Sequence, residues 1–110
     1  MNQKNLLSAL AAGPLLCDGA MGTQLMARGL VAGACGETWN LERPGDVQAI
    51  HQAYRDAGCD LITTNTFGGT SPSLERHELA DRVGELNRAG AAVARRAAGD
   101  AAWVLGDVGP

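Results

Sequence analysis

The sequence predicts an α/β fold in which parallel strands alternate with helices. Short apolar runs are each followed by a polar turn that contains glycine, and amphipathic stretches with helical spacing separate these runs. With 15 glycines and only 4% aromatic residues, the core must be built from small side chains and close backbone approach. Such a core suits helices packed on a parallel sheet.

The chain opens with a predicted leading helix in residues 1–14, where leucines recur with helical spacing until Gly13-Pro14. Residues 15–17 form a short apolar run, which predicts the first buried strand. The next stretch, residues 21–39, is predicted to start as a helical turn and to continue as an irregular segment, because glycines recur within it.

The second unit has clearer boundaries. Pro44 is expected in the first turn of a helix whose apolar stripe ends before Gly58. Residues 60–67 then form a β-branched run that predicts the second strand and that ends at a pair of glycines.

The third unit repeats the plan. Ser71-Pro72 predicts an N-cap followed by a first-turn proline. After a predicted break near Asp81, residues 83–97 carry a helical stripe that ends at Gly99, and residues 103–105 form the last predicted strand. Strands separated by helices imply right-handed crossovers and a parallel sheet.

Each predicted strand ends in small polar residues next to glycine: Asp18-Gly19, residues 64–66 and Gly106-Asp107. In parallel α/β proteins, ligands gather beyond the carboxyl ends of the strands. These residues are therefore candidates for a common binding site. The alternative from the residues alone is that the aspartates and threonines only cap turns and satisfy local backbone groups.

Composition and charge narrow the function. The net charge of −3 gives no electrostatic reason to expect nucleic acid or an anionic membrane surface as a partner. Neither a targeting signal nor an apolar run long enough to span a membrane is present. The odd number of cysteines, 3, argues against a disulfide framework and predicts a reducing compartment, hence the cytoplasm.

Four stretches stand out in order along the chain: residues 18–23 (DGAMGT), 39–41 (WNL) with Pro44, 64–68 (TNTFG) and 106–110 (GDVGP). Taken together, these stretches resemble the homocysteine S-methyltransferase family, whose pattern is also matched by His51, Tyr54, Ala57-Gly58 and Asn87. The resemblance covers nearly the whole chain from Leu15 onward, and within the family it points most to the homocysteine domain of cobalamin-dependent methionine synthases.

The resemblance implies that residues 15–110 are the N-terminal segment of a homocysteine-binding (β/α)8 barrel, supplying its first three βα units with parallel strands. Such a barrel needs about 250 residues. In the family, zinc is held by three cysteine thiolates from later strands, and Cys17, Cys35 and Cys59 do not match those positions. We therefore expect no metal ligand and no catalytic residue in this chain, and no activity from the chain alone.

The resemblance also implies roles for residues of the strand ends. The Asp18 carboxylate would hold the α-amino group of homocysteine, and the N–H groups of Gly19 and Thr64 would hold its carboxylate. Asn65 and Thr66 would line the pocket beside them. Asp107 is a further candidate for the same pocket.

In the full-length family, zinc would keep the homocysteine sulfur as a thiolate, which accepts a methyl group to give methionine. The methyl donor stays open between methylcobalamin, S-methylmethionine and betaine. Two other functions also stay open: a non-catalytic α/β binding module, and a (β/α)8 lyase or aldolase using Asp18 and Asp107 as acid–base groups.

Overall fold

The structure is a computed structural model that describes residues 5–110. Two short 3₁₀ turns, at Gly36–Thr38 and Ala80–Arg82, precede the third and sixth helices. The described residues form six α-helices and two strands: α1 (Leu6–Ala12), α2 (Gly22–Ala27), α3 (Trp39–Glu42), α4 (Pro44–Asp56), β1 (Leu61–Thr63), α5 (Ser71–Glu75), α6 (Val83–Ala98) and β2 (Trp103–Leu105).

The sheet has two parallel strands, in which Leu61, Ile62 and Thr63 pair with Trp103, Val104 and Leu105. The predicted parallel, mixed α/β architecture is therefore confirmed. The prediction of a strand at residues 15–17 is wrong, because this segment contributes only a single parallel bridge, from Cys17 to Leu61.

Side-chain carboxylates explain why the first segment does not form a regular strand. Its pairing with β1 begins where the Leu16 carbonyl accepts hydrogen bonds from the N–H groups of Asp60 and Leu61. The Leu16 N–H, however, donates to the Asp60 carboxylate, and the Thr63 N–H donates to the Asp18 carboxylate. Side chains thus replace backbone carbonyls at both ends of the pairing, and the ladder stops after one bridge.

The strand predicted at residues 60–67 is much shorter than expected. It ends at Thr63, and residues 64–66 form a tight turn in which the Thr66 N–H donates to the Thr64 carbonyl at 2.9 Å. The threonine hydroxyls and the Asn65 amide bind local and neighbouring backbone groups in place of a ladder.

The helix predictions fare better. Pro44 opens α4, and Gly58 follows it with a φ of 108°, as the stop signal predicted. Near Asp81, a 3₁₀ turn produces the expected break before α6, which Gly99 ends. The N-cap of α5 is Thr70 rather than Ser71, because the Thr70 hydroxyl accepts from Ser73 N–H.

The leading helix α1 lies within the predicted segment 1–14, whose residues 1–4 fall outside the described part. α1 begins after the Asn5 side chain, which accepts hydrogen bonds from Leu7 N–H and Ser8 N–H. None of its described residues is buried.

The helices cover one face of the sheet. Ile62 is fully buried, at 0% exposure. It packs against Cys59, against two alanines of α6 and against one alanine that follows the helix: Ala94, Ala98 and Ala102. Small alanine side chains let α6 approach β1 closely, as the composition predicted. No helix among residues 5–110 is both long and apolar enough to cross a bilayer.

Candidate functional site

Asp18, the candidate at the first predicted strand end, contacts the end of the neighbouring strand β1. The half-buried Asp18 accepts hydrogen bonds from the Thr63 N–H at 3.1 Å and from the Thr63 hydroxyl at 3.0 Å. Its carboxylate therefore lies at the end of β1, directly before the turn at residues 64–66. The parallel pairing of two segments that both end here produces this approach.

The turn after β1 is locked to the end of β2. The hydroxyls of Thr64 and Thr66 lie 2.6 Å apart, and both residues are buried. Thr64 Oγ1 accepts from the Asp107 N–H at 3.0 Å, while the Thr66 hydroxyl donates to the Asp107 carbonyl at 2.7 Å. The three predicted strand ends, which are the ends of β1 and β2 and of the segment bridged to β1 at Cys17, thus meet at one edge of the sheet.

The main-chain donors differ in availability. The Thr64 N–H belongs to the sheet, because it donates to the Leu105 carbonyl at 2.9 Å. Among the described residues, none accepts a hydrogen bond from the Gly19 N–H, and Gly19 is exposed. Of these two groups, the Gly19 N–H is thus the better placed to bind an anion.

The Asn65 side chain does not share the neighbourhood of Asp18. Its Nδ2 atom donates to the Gly36 carbonyl at 3.1 Å and to Asn40 Oδ1 at 3.0 Å. The amide thereby joins the turn to the segment that precedes α4. This contact makes Asn65 a structural link as well as a residue of the strand end.

Two residues of α4 that the site assignment left out lie beside Asp18. The Tyr54 hydroxyl donates to the Ala20 carbonyl at 2.6 Å, and a Cβ at Gly19 would lie 3.3 Å from that hydroxyl oxygen. Burial, and then the Asp18 charge, raise the pKa of Tyr54. The helical stripe predicted a buried position for Tyr54, and both Tyr54 and His51 match the family pattern, but neither signal singled out a contact with residues 18–20.

His51 is the least satisfied polar residue near the site. It is fully buried, at 0% exposure, and among the described residues neither ring nitrogen has a hydrogen-bond partner. Burial lowers the pKa of His51, and the nearby Asp18 charge opposes this only in part. The imidazole is therefore neutral at neutral pH.

A pocket of about 310 Å³ opens beside the strand ends. It is lined mainly by apolar residues of α2 and the following loop, together with Asn65, Phe67 and Glu37. Glu37 accepts a hydrogen bond from the Gly68 N–H at 3.0 Å and so fixes this wall. Asp18 does not line the pocket, so the pocket is separate from the site around the Asp18 carboxylate.

The cysteines offer no metal centre. Burial, followed by the charge of a neighbouring carboxylate, raises the pKa of each of the thiols Cys17, Cys35 and Cys59. All three are therefore protonated at neutral pH, and a bound metal ion would have to displace their protons. Within residues 5–110, no three His, Cys, Asp or Glu side chains are grouped to hold a metal ion. The donor set present here does not fit a zinc centre.

Known proteins are similar to this chain in both sequence and fold. The family model for homocysteine S-methyltransferase matches residues 15–110. The chain is 38% identical over 118 residues to a methionine synthase of Mycobacterium tuberculosis and 38% identical over 120 residues to that of Mycobacterium leprae, covering 96% of this chain in both cases. It spans only 10% of the length of either relative.

Solved structures give the same result. The homocysteine methyltransferase MmuM from Escherichia coli matches in its oxidized form with a TM-score of 0.78 at 28% identity, covering 97% of this chain and 41% of MmuM. Its metallated form matches with a TM-score of 0.79 at 27% identity. Because the family model covers most of the chain and the fold agrees, this chain belongs to the homocysteine S-methyltransferase family.

Proposed function

We propose that this chain is the homocysteine-binding opening segment of a methyltransferase that transfers a methyl group to the homocysteine thiol. In this proposal, residues 15–110 supply the first three βα units of a (β/α)8 barrel, the segment at 15–17 completing its pairing within the larger sheet. The observation that carries the proposal is the meeting of the three strand ends, with Asp18 over Thr63 and Asp107 tied to the turn at 64–66.

The ammonium group of homocysteine is assigned to Asp18. Each carboxylate oxygen of Asp18 accepts one hydrogen bond from Thr63, which holds the side chain in one orientation. A carboxylate has about four acceptor positions, so capacity remains for an ammonium donor. A charge-assisted bond of this kind contributes more than a neutral one.

The carboxylate of homocysteine is assigned first to the Gly19 N–H. The Thr64 N–H contributes only as a shared donor, because it already binds the Leu105 carbonyl. Thr66, Asn65 and Asp107 hold the turn beside this site through their bonds to other protein groups. Main-chain N–H groups that already point at the ligand bind an anion without reorganisation.

We further propose that the 110-residue chain lacks methyl transfer by itself. The lack of a three-ligand cluster among the described residues supports this. In the complete enzyme, zinc would supply thiolate activation, with methylcobalamin, S-methylmethionine or betaine as methyl donor. A cytoplasmic location accords with three free cysteines. Zinc-dependent methionine formation by the purified chain would contradict the inactivity.

The test is homocysteine binding by the 110-residue chain, measured by calorimetry or NMR titration. Asp18→Asn keeps an oxygen for the Thr63 N–H but removes the charge. We expect it to weaken binding about 10–100-fold, as the loss of a charge-assisted bond should.

Asp60→Asn is the matched control. Asp60 also accepts a main-chain hydrogen bond, from Leu16 N–H at 2.9 Å, but at the opposite end of β1. The two variants therefore remove the same charge and disturb similar bonds. Equal affinity of the two variants, or no saturable binding by the folded wild-type chain, would refute the assignment of homocysteine to this site.

A further inference from the structure

Asn40 lies where α3, the turn after β1 and helix α6 meet, and only 2% of its surface is exposed. Its Nδ2 atom donates to the Asn65 carbonyl at 2.9 Å and to the Leu86 carbonyl at 3.2 Å. Its Oδ1 atom accepts from Asn65 Nδ2 at 3.0 Å. Both donors and the acceptor of this amide are therefore engaged, and two of the three bonds go to one residue.

The bonds of Asn40 fix the orientation of a single peptide group. The carbonyl of that peptide belongs to Asn65 and is held by Asn40, while its N–H belongs to Thr66 and donates to the Thr64 carbonyl at 2.9 Å. Rotating the peptide would break bonds on both sides in a buried environment. Unsatisfied buried polar groups are costly, so the turn is confined to one shape.

Packing from α6 leaves little room for adjustment. A Cβ atom at Gly90 would lie 2.8 Å from Asn40 Nδ2 and 2.8 Å from Thr66 Cγ2. Glycine at this position lets the α6 backbone contact both the Asn40 amide and the turn. The turn is thus packed between Asn40 and the α6 backbone.

We propose that Asn40 is a positioning residue for homocysteine binding, which it supports by holding the turn at residues 64–66 in its binding geometry. The inference rests on the proposed function, since it assigns Asn40 a role in the same homocysteine site. Asn40 does not touch the substrate in this arrangement. It acts through the peptide between Asn65 and Thr66.

The experiment compares Asn40→Ala with Asn87→Ala in the 110-residue chain. Asn87 makes the same kind of contact, since its Nδ2 donates to the Gly69 carbonyl at 2.8 Å and to the Val83 carbonyl of α6 at 2.7 Å. It therefore ties α6 to the same loop, but beyond the proposed site. We expect comparable losses of stability, and homocysteine binding about tenfold weaker for Asn40→Ala alone.

A second measurement uses the wild-type chain, in case Asn40→Ala fails to fold. During a homocysteine titration followed by NMR, the side-chain amide signals of Asn40 and Asn65 should shift, and those of Asn87 should stay. Equal affinity of the two folded variants, or shifts that do not distinguish Asn40 from Asn87, would overturn the positioning role.

The Asp18→Asn variant separates the two hypotheses. If it weakens binding while Asn40→Ala behaves like Asn87→Ala, the positioning role alone fails. If Asp18→Asn leaves binding unchanged, the proposed function fails, and the role of Asn40 fails with it.

Discussion

At the scale of single residues, the most unusual group is the imidazole of His51. It lies in the α4 stripe between Val47 and Tyr54, without a described hydrogen-bond partner for either nitrogen. Burying such a polar group without partners costs stability. Protonation would add the greater cost of burying a charge, and the nearby Asp18 carboxylate offsets this only in part.

This burial predicts a pH dependence of stability. Because burial lowers the pKa of His51 below its ordinary value of about 6.5, the unfolded chain binds the proton more readily than the folded one. The free energy of unfolding should therefore be highest above about pH 7, and it should fall as the pH drops below about 6.5. Urea unfolding at a series of pH values between about 5 and 7.5 measures this slope, before most carboxylates titrate.

His51→Leu should flatten the slope, because it removes the titrating group while keeping a side chain that suits an apolar environment. His77→Gln is the control, since His77 is exposed on the surface after α5 and its replacement should leave the slope intact. A slope that survives in His51→Leu would assign the pH dependence to another group.

At the scale of elements, α6 carries two glycines with opposite surroundings. Gly90 is buried, and a Cβ there would meet Asn40 and Thr66, both held by hydrogen bonds. A Cβ at Gly84 would meet only the tip of the flexible Arg88 side chain, at 3.3 Å. The same substitution should therefore have opposite effects at the two positions.

Gly90→Ala should destabilise the chain by about 1–2 kcal/mol, because the cost of overpacking exceeds the gain in helix propensity. Gly84→Ala, the matched control in the same helix, should be neutral or stabilise by up to about 1 kcal/mol. Chemical denaturation of both variants at one pH measures the difference. An equally stabilising Gly90→Ala would mean that the contact between α6 and the turn is loose.

Element boundaries show what sequence can and cannot predict. The ends of α4 and α6 depend on local signals, Pro44, Gly58 and Gly99, and the sequence predicts them correctly. The first strand and the length of β1 depend instead on Asp60 and Asp18, whose carboxylates bind main-chain groups 44 and 45 positions away. No local pattern reveals that a side chain will take the place of a ladder carbonyl.

For the candidate site too, the sequence predicts some features and not others. That the three strand ends meet follows from parallel topology, which the alternation of strands and helices predicted. The direction of the Asn65 amide and the role of Asn40 depend on packing against α6, so the sequence did not show them. Likewise, the sheet bond that occupies the Thr64 N–H depends on its register with Leu105.

At the scale of the whole molecule, the described helices cover only one of the two faces of the sheet. Ile62 faces α6 and is fully buried, whereas its neighbours Leu61 and Thr63 are half-buried on the opposite face. Cys17, which pairs with Leu61, is exposed. In the proposed (β/α)8 barrel, this second face would point toward the barrel interior, where side chains from the other strands would fill the space.

The two faces of β1 should therefore respond differently to truncation in the 110-residue chain. Ile62→Ala should cost about 2–5 kcal/mol, because it opens a cavity beneath α6. Leu61→Ala, the adjacent control, should cost less, about 1 kcal/mol, since part of its side chain already contacts solvent. If Leu61→Ala proved as costly as Ile62→Ala, and the cost grew with protein concentration, the second face would be covered by another copy of the chain. Unfolding measured at two protein concentrations distinguishes these outcomes, because only an associated state gains stability by mass action.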